Sequence, residues 1–144
     1  MTCASARDLI ERLDLSPHPE GGYFRETFRD DDDSAEASSA STAIYYLLEE
    51  GDRSHWHRVL GSSEVWHFYD GDPLELSLSD DAKSRDVRIL GRDFDRGERP
   101  QIVVPSNVWQ SARSLGAWTL VGCTVAPGFS FENFEMAPSG WEPG

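Results

Sequence analysis

His55-Trp56-His57, followed by Glu64 in the next β-rich run, is the pattern in this chain best suited to chemistry. A strand repeats every two residues, so a regular strand points His55 and His57 to one side and Trp56 to the other, and the two imidazoles converge. The connection to Glu64 is short, which predicts an antiparallel return that brings the carboxylate back beside the pair. Imidazole nitrogen and carboxylate oxygen together suit either one divalent transition metal, with Fe, Mn, Ni and Zn as candidates, or a metal-free acid/base pair. These residues alone leave the cofactor unknown. His55, His57 and Glu64 are candidate ligands, and His57 with Glu64 are candidate catalytic residues.

The elements that must position them are mostly strands. β-rich segments run over 23–28, 42–48, 53–59, 64–69, 74–79, 87–90, 101–104, 108–112, 118–125 and 129–135. Turn residues separate them, at Glu50-Gly51-Asp52, Gly61-Ser62-Ser63, Asp70-Gly71-Asp72-Pro73 and Pro127-Gly128. Ser5 with Asp8, then Leu9, Ile10 and Leu13, reads as one short N-capped helix stopped before Pro17. Many short strands with a single helix predict an all-β antiparallel sandwich or jelly-roll barrel with the polar site in its mouth. Residues 30–41, aspartates and then a Ser/Ala/Glu mixture, lack both period and apolar content and are expected to form a flexible acidic loop. The tail, 138–144, is expected to be loosely held, with Trp141 as a candidate anchor.

A length of 144 residues predicts a single domain. Nothing approaches the roughly 18 apolar residues of a membrane span, and no basic segment leads into a hydrophobic one, so the sequence reads as cytoplasmic with no membrane partner. Cys3 and Cys123 have neither a disulfide nor a zinc spacing, and Cys123 in its apolar run reads as a buried, reduced thiol. Acidic residues number 26 against 13 basic ones, for a net charge of -13, and Lys83 is the single lysine. Nucleic acid is a poor partner for such a surface. Carboxylate excess with lysine almost absent fits a salt-accumulating cell, because carboxylates keep a surface hydrated when molar salt screens their repulsion; a GC-rich genome would also exchange Lys for Arg. The halophilic reading predicts loss of the fold on dialysis to low salt, followed by circular dichroism. Full stability there refutes it.

With the strands placed, the motifs resemble those of the cupin superfamily. Gly51, His55, His57, Glu64 and Gly71 stand in the order of its first motif, although the spacing from His57 to Glu64 is longer than usual. Pro105-Ser106-Asn107-Val108-Trp109-Gln110 resembles the proline-led turn of its second motif, with Asn107 at a turn-glycine position and Gln110 where a third histidine would stand. The likeness is nearer still to an uncharacterised RmlC-like branch akin to the nucleotide-sugar epimerases. It rests on Pro19-Glu20-Gly21-Gly22-Tyr23-Phe24-Arg25-Glu26, Trp56-His57-Arg58, Glu64-Val65-Trp66-His67, Val103-Val104-Pro105 running to Trp109-Gln110, and Val125-Ala126-Pro127-Gly128-Phe129, which span residues 19–135. The resemblance implies a double-stranded β-helix, a homodimer and a small-molecule pocket inside the barrel, with no settled reaction. It adds Gln110 to His55, His57 and Glu64 as a candidate metal ligand, its amide oxygen being a weaker donor than imidazole. It also makes His55 the less dependable ligand, since members of the branch often lack one histidine of the pair.

His67 shares the phase of Val65 and Tyr69, so a regular strand turns it away from Glu64, whereas the resemblance places a histidine there and a bulge would turn it inward. It stays a catalytic candidate. His18, in a proline-flanked turn, is assigned to the surface. Arg25 and Glu26 sit on opposite faces of one strand; an inward Arg25 would bind carboxylate or phosphate through its fork, and an outward one would make a salt bridge. Tyr46, Trp56, Trp66, Phe68 and Trp109 are core by default, yet aromatic walls also suit a sugar or planar ring. Tyr46 and Trp109 therefore join Arg25 and Gln110 as candidate ligand-binding residues. Two functions follow. One is an enzyme on a small polar or sugar-like metabolite, with His57 as general base assisted by Glu64, isomerising or epimerising next to a carbonyl, with or without metal. An acid that would steer His57 is not located by the sequence. The other is a non-catalytic module that binds or senses a small ligand.

Overall fold

The computed structural model describes residues 5–30 and 39–144. Helix α1 (Ala6–Arg12) leads into β1 (Ser16–Pro17), β2 (Tyr23–Arg29), β3 (Thr42–Glu49), β4 (Arg53–Val59), β5 (Ser63–Gly71), β6 (Leu74–Ser79), β7 (Asp86–Leu90), β8 (Gln101–Val104), β9 (Trp109–Ser114), β10 (Trp118–Ala126) and β11 (Phe134–Met136). They form two antiparallel sheets, one of six strands in the order β1-β2-β3-β10-β5-β8 and one of five in the order β11-β4-β9-β6-β7. This is the all-β jelly roll with one short helix that the strand spacing predicts.

Strand alternation decides what fills the space between the sheets. Tyr46, Leu48, Trp66, Val121 and Cys123 point inward from the first sheet and meet Leu74, Leu76, Leu78 and Ala112 of the second in one buried cluster. Each large apolar side chain buried in this way contributes on the order of 2 kcal/mol relative to an exposed position. The helix seals the outer face of the six-stranded sheet. Its Ser5 hydroxyl accepts from the Asp8 N–H and the Asp8 carboxylate accepts from the Ser5 N–H, a capping box. Leu9, Ile10 and Leu13 then pack on Leu47 and Leu120.

Two segments depart from expectation. The run 129–135 is not one strand: a 3-10 turn at Phe131–Asn133 precedes the short β11. The tail is docked, with Trp141 against Trp109 at 4.8 Å and Trp56 at 6.0 Å between ring centroids, and the Gly144 N–H bonded to the Ala82 carbonyl at 3.1 Å. The expected loop 30–41 lies largely outside the described residues. Its ends are tied together, the Asp30 N–H to the Ser41 carbonyl at 3.0 Å and the Ser39 hydroxyl to the Asp30 carbonyl at 2.7 Å.

A third departure governs the site. Ser54 pairs with Ala112 and His57 with Gln110, so β4 advances three residues where β9 advances two. The extra residue is a β-bulge that breaks the period of two across His55 and Trp56. Ser54 and His57 both become buried on either side of it, and His55 no longer shares a face with His57.

Candidate active site

The most tightly held group in the barrel is a pair that the sequence does not suggest. His57 Nδ1 lies 2.8 Å from Glu20 Oε2, and both side chains are 6% exposed or less. The Nδ1–H is aimed at the His55 carbonyl, 2.7 Å away, so the Glu20 contact is a close ion pair lying off the N–H axis. Burial pushes His57 toward neutrality, but the Glu20 carboxylate outweighs it and lifts the imidazole to about 9. Burial likewise opposes the charge on Glu20, and the His57 charge overcomes it, holding the carboxyl below its usual range. Both shifts describe an imidazolium–carboxylate pair at neutral pH. With Nδ1 engaged, Nε2–H is the group left for a ligand.

Glu20 reaches this position because of the loop that carries it. His18-Pro19-Glu20-Gly21-Gly22 folds back on itself through His18 N–H to Gly22 O at 2.9 Å and Gly21 N–H to His18 O at 3.0 Å. The His55 N–H to Glu20 O bond at 2.9 Å pins the loop to β4. Gly21 has φ +110°, and a Cβ there would sit 2.1 Å from the Arg53 carbonyl oxygen, so only glycine allows the approach. The same turn buries His18, contrary to the expectation that it is a surface residue. Its Nδ1 accepts from the Glu20 N–H at 3.0 Å, which assigns the proton to Nε2, and burial lowers its pKa.

The second acid is Glu64, on the inward phase of β5. Gln110 donates to its Oε1 at 2.8 Å, and Gln110 Oε1 in turn accepts from Trp66 Nε1 at 2.8 Å. Gln110 is thus a relay, not a free ligand. Burial raises Glu64, and the charge on Glu20 adds to this against the opposing pull of His57 and Gln110. Gln110→Leu strands the Trp66 donor and one Glu64 oxygen. We expect a loss of about 1–3 kcal/mol in urea unfolding and a further rise of the Glu64 pKa by NMR titration; an unchanged Glu64 would refute the relay.

His18, Glu20, His57, Glu64 and Cys123 line one small pocket of about 40 Å³, whose walls are Phe24, Ile44, Val59, Val125, Phe129 and Phe134. Phe134 stacks on His57, with centroids 5.3 Å apart. Cys123 is free and buried, and burial pushes its thiol well up. The four metal-ligand candidates do not fit a metal. The His55 ring faces the Ala137 and Pro138 carbonyls at 3.1 and 3.0 Å, away from His57, and Gln110 is committed at both ends of its amide. Among the described residues no group of three or more His, Cys, Asp or Glu side chains is arranged to hold an ion.

The family described as "Cupin superfamily (DUF985)" matches residues 7–137. The chain belongs to that family of cupins. A Shewanella oneidensis protein of known structure, SO0799, is 34% identical with a TM-score of 0.88, over 94% of this cupin and 85% of that chain. A hypothetical protein from Leishmania major is 31% identical with a TM-score of 0.85, over 96% and 90%. An uncharacterized Saccharomyces cerevisiae protein is 26% identical over 90% of this cupin and 74% of its own length. More distant likenesses show the fold alone. They include a dTDP sugar isomerase from Desulfovibrio desulfuricans, 14% identical with a TM-score of 0.61 over 88% of each chain, and Bacillus subtilis oxalate decarboxylase, 17% identical with a TM-score of 0.63 over 86% of this cupin and 30% of that chain.

The remaining candidates lie elsewhere in this cupin. His67 stays in register on β5 opposite Gln101 and Gly122, and its Nε2 contacts Thr124 Oγ1 at 3.0 Å on the outer face. No bulge turns it inward, because the irregularity of that strand falls beyond it, opposite Leu120 and Val121. Arg25 is exposed and donates to the Leu13 carbonyl at 3.4 Å, while its neighbour Phe24 enters the pocket. Trp109 faces outward under the Arg58 guanidinium, 4.6 Å from its centroid. Tyr46 is buried behind the loop, its hydroxyl donating to the Gly21 carbonyl. Asn107 does take the glycine-like conformation, φ +69°, and its Oδ1 accepts from the Gly61 N–H at 3.1 Å. Glu20 and His18 escape the sequence reading because they lie far from β4 in the chain. The available signal was Pro-Glu-Gly-Gly, a carboxylate on a turn whose adjacent glycines announce a close backbone approach.

Proposed function

We propose that this cupin is an acid/base enzyme, an isomerase or epimerase that moves a proton at a carbon next to a carbonyl of a small metabolite. The observation that carries this reading is one pocket holding an acid and a base: His57 kept protonated by Glu20 at 2.8 Å, and the Glu64 carboxylate, which burial makes more basic than a solvated one. Acid and base assignments follow such divergent environments. The roles are then the reverse of those the sequence suggests. Glu64 takes the carbon-bound proton while His57 Nε2–H donates to the carbonyl oxygen, giving an enediol; the reverse transfers return the proton to the same or the neighbouring carbon.

The test is deuterium incorporation, by NMR, from D2O into a panel of small hydroxyketones and hydroxyaldehydes. The wild type is expected to exchange at least one of them. His57→Gln should slow that exchange by roughly 10²–10⁴-fold while still binding the compound. If a bound panel compound shows no exchange in the wild type, the reading fails in favour of a ligand-binding module.

A further inference from the structure

Resting on that reading, the charge inventory of the pocket narrows the substrate class. Among the described residues that line it there is no Lys or Arg, and the cationic side chain present, His57, is already neutralised by Glu20 at 2.8 Å. An incoming carboxylate or phosphate at Nε2–H would compete with Glu20 for the one His57 charge and stand close to both the Glu20 and the Glu64 carboxylates. An incoming ammonium would meet the His57 imidazolium, which leaves it no acceptor there and a like charge beside it. The groove outside the mouth repeats the pattern. It shares Phe24, Ile44 and Phe129 with the pocket and continues to Phe131, and its one cation among the described residues, Arg29, lies 2.7 Å from the Glu26 carboxylate.

We infer that the pocket takes an uncharged ligand, a small carbonyl or amide-like compound with an apolar flank, and rejects phosphates, carboxylates and ammonium ions. Its polar head accepts from His57 Nε2–H and donates to Glu64, and its apolar part lies on Phe24, Ile44 and Phe134. Nucleotide sugars, which carry a diphosphate, fall outside this class.

Isobutyramide, isobutyrate and isobutylammonium share a branched apolar body and differ in charge. Titrated into the protein at pH 7 and read at the His57 ring by heteronuclear NMR, isobutyramide is expected to give a saturable shift in the millimolar range, with both ions at least about ten-fold weaker. In Glu64→Gln the isobutyrate affinity should rise by about ten-fold, because one of the two opposing carboxyl groups is gone. Either ion binding as tightly as the amide overturns the inference, and so does an amide that never saturates. The readout is equilibrium binding, so it is separable from the exchange assay: exchange without a neutral preference sinks this inference alone, and a neutral preference without exchange sinks the catalytic reading alone.

Discussion

Replacing Glu20 with glutamine is expected to return the His57 pKa from about 9 to the ordinary histidine range or lower, because burial then acts on the imidazole without its main counter-charge. Activity that depends on a protonated His57 at neutral pH is lost with it. Stability changes in a way that identifies the cause. His57 is raised above the ordinary histidine value of 6.5, so the proton it holds stabilises the fold fully below pH 6.5 and that contribution disappears as the pH rises through about 9. Glu20 is lowered from 4.5, so its contribution is present above pH 4.5 and is lost as the pH falls through its folded value. The pair is therefore at full strength between about pH 4.5 and 6.5. The His57 shift corresponds to roughly 3 kcal/mol, in line with the cost of breaking one buried pair. Urea unfolding at pH 6.5 and pH 9 checks this. The wild type should lose roughly that amount between the two, whereas Glu20→Gln should start lower and stay flat. Parallel slopes in the two proteins would show that the contact is not an ion pair.

Gly21→Ala is expected to be the most damaging single methyl in the chain. The residue has φ +110°, disfavoured for any side chain, and the new Cβ would collide at 2.1 Å with the Arg53 carbonyl oxygen, part of the strand that bears His57. Backbone strain of about 1–2 kcal/mol and the displacement needed to relieve the clash together imply about 3–5 kcal/mol. The loop cannot move off β4 without breaking the His55 N–H to Glu20 O bond at 2.9 Å, so Glu20 leaves His57 and the His57 pKa falls as in Glu20→Gln. Gly51→Ala is the control: φ is +85° with nothing within 4 Å of the added Cβ, so only the strain is expected. Chemical denaturation of both variants with an NMR titration of His57 separates the cases. Equal losses at the two glycines, with His57 unmoved, would refute the role of the loop.

What the sequence determined by itself is whatever local periodicity controls. Alternation along β5 places Glu64 and Trp66 inward and Val65 and His67 outward, and the strands observed follow the β-rich runs closely because each has a buried face. Ser5 and Asp8 cap the helix as their spacing requires, and Asn107 adopts the left-handed turn its position calls for. The charge balance is likewise a property of composition. The Glu20–His57 pair belongs to the other class. A bulge in β4 is invisible to a period-of-two reading because the extra residue appears only when the strand is laid against β9, and it removes His55 from the site. Glu20 and His57 are brought together by the loop crossing β4, a long-range contact that neither segment encodes alone, and Gln110 becomes a relay only because Trp66 stands across the barrel. Tertiary structure decided these points because burial sets the protonation of each group, and burial depends on every strand being in place.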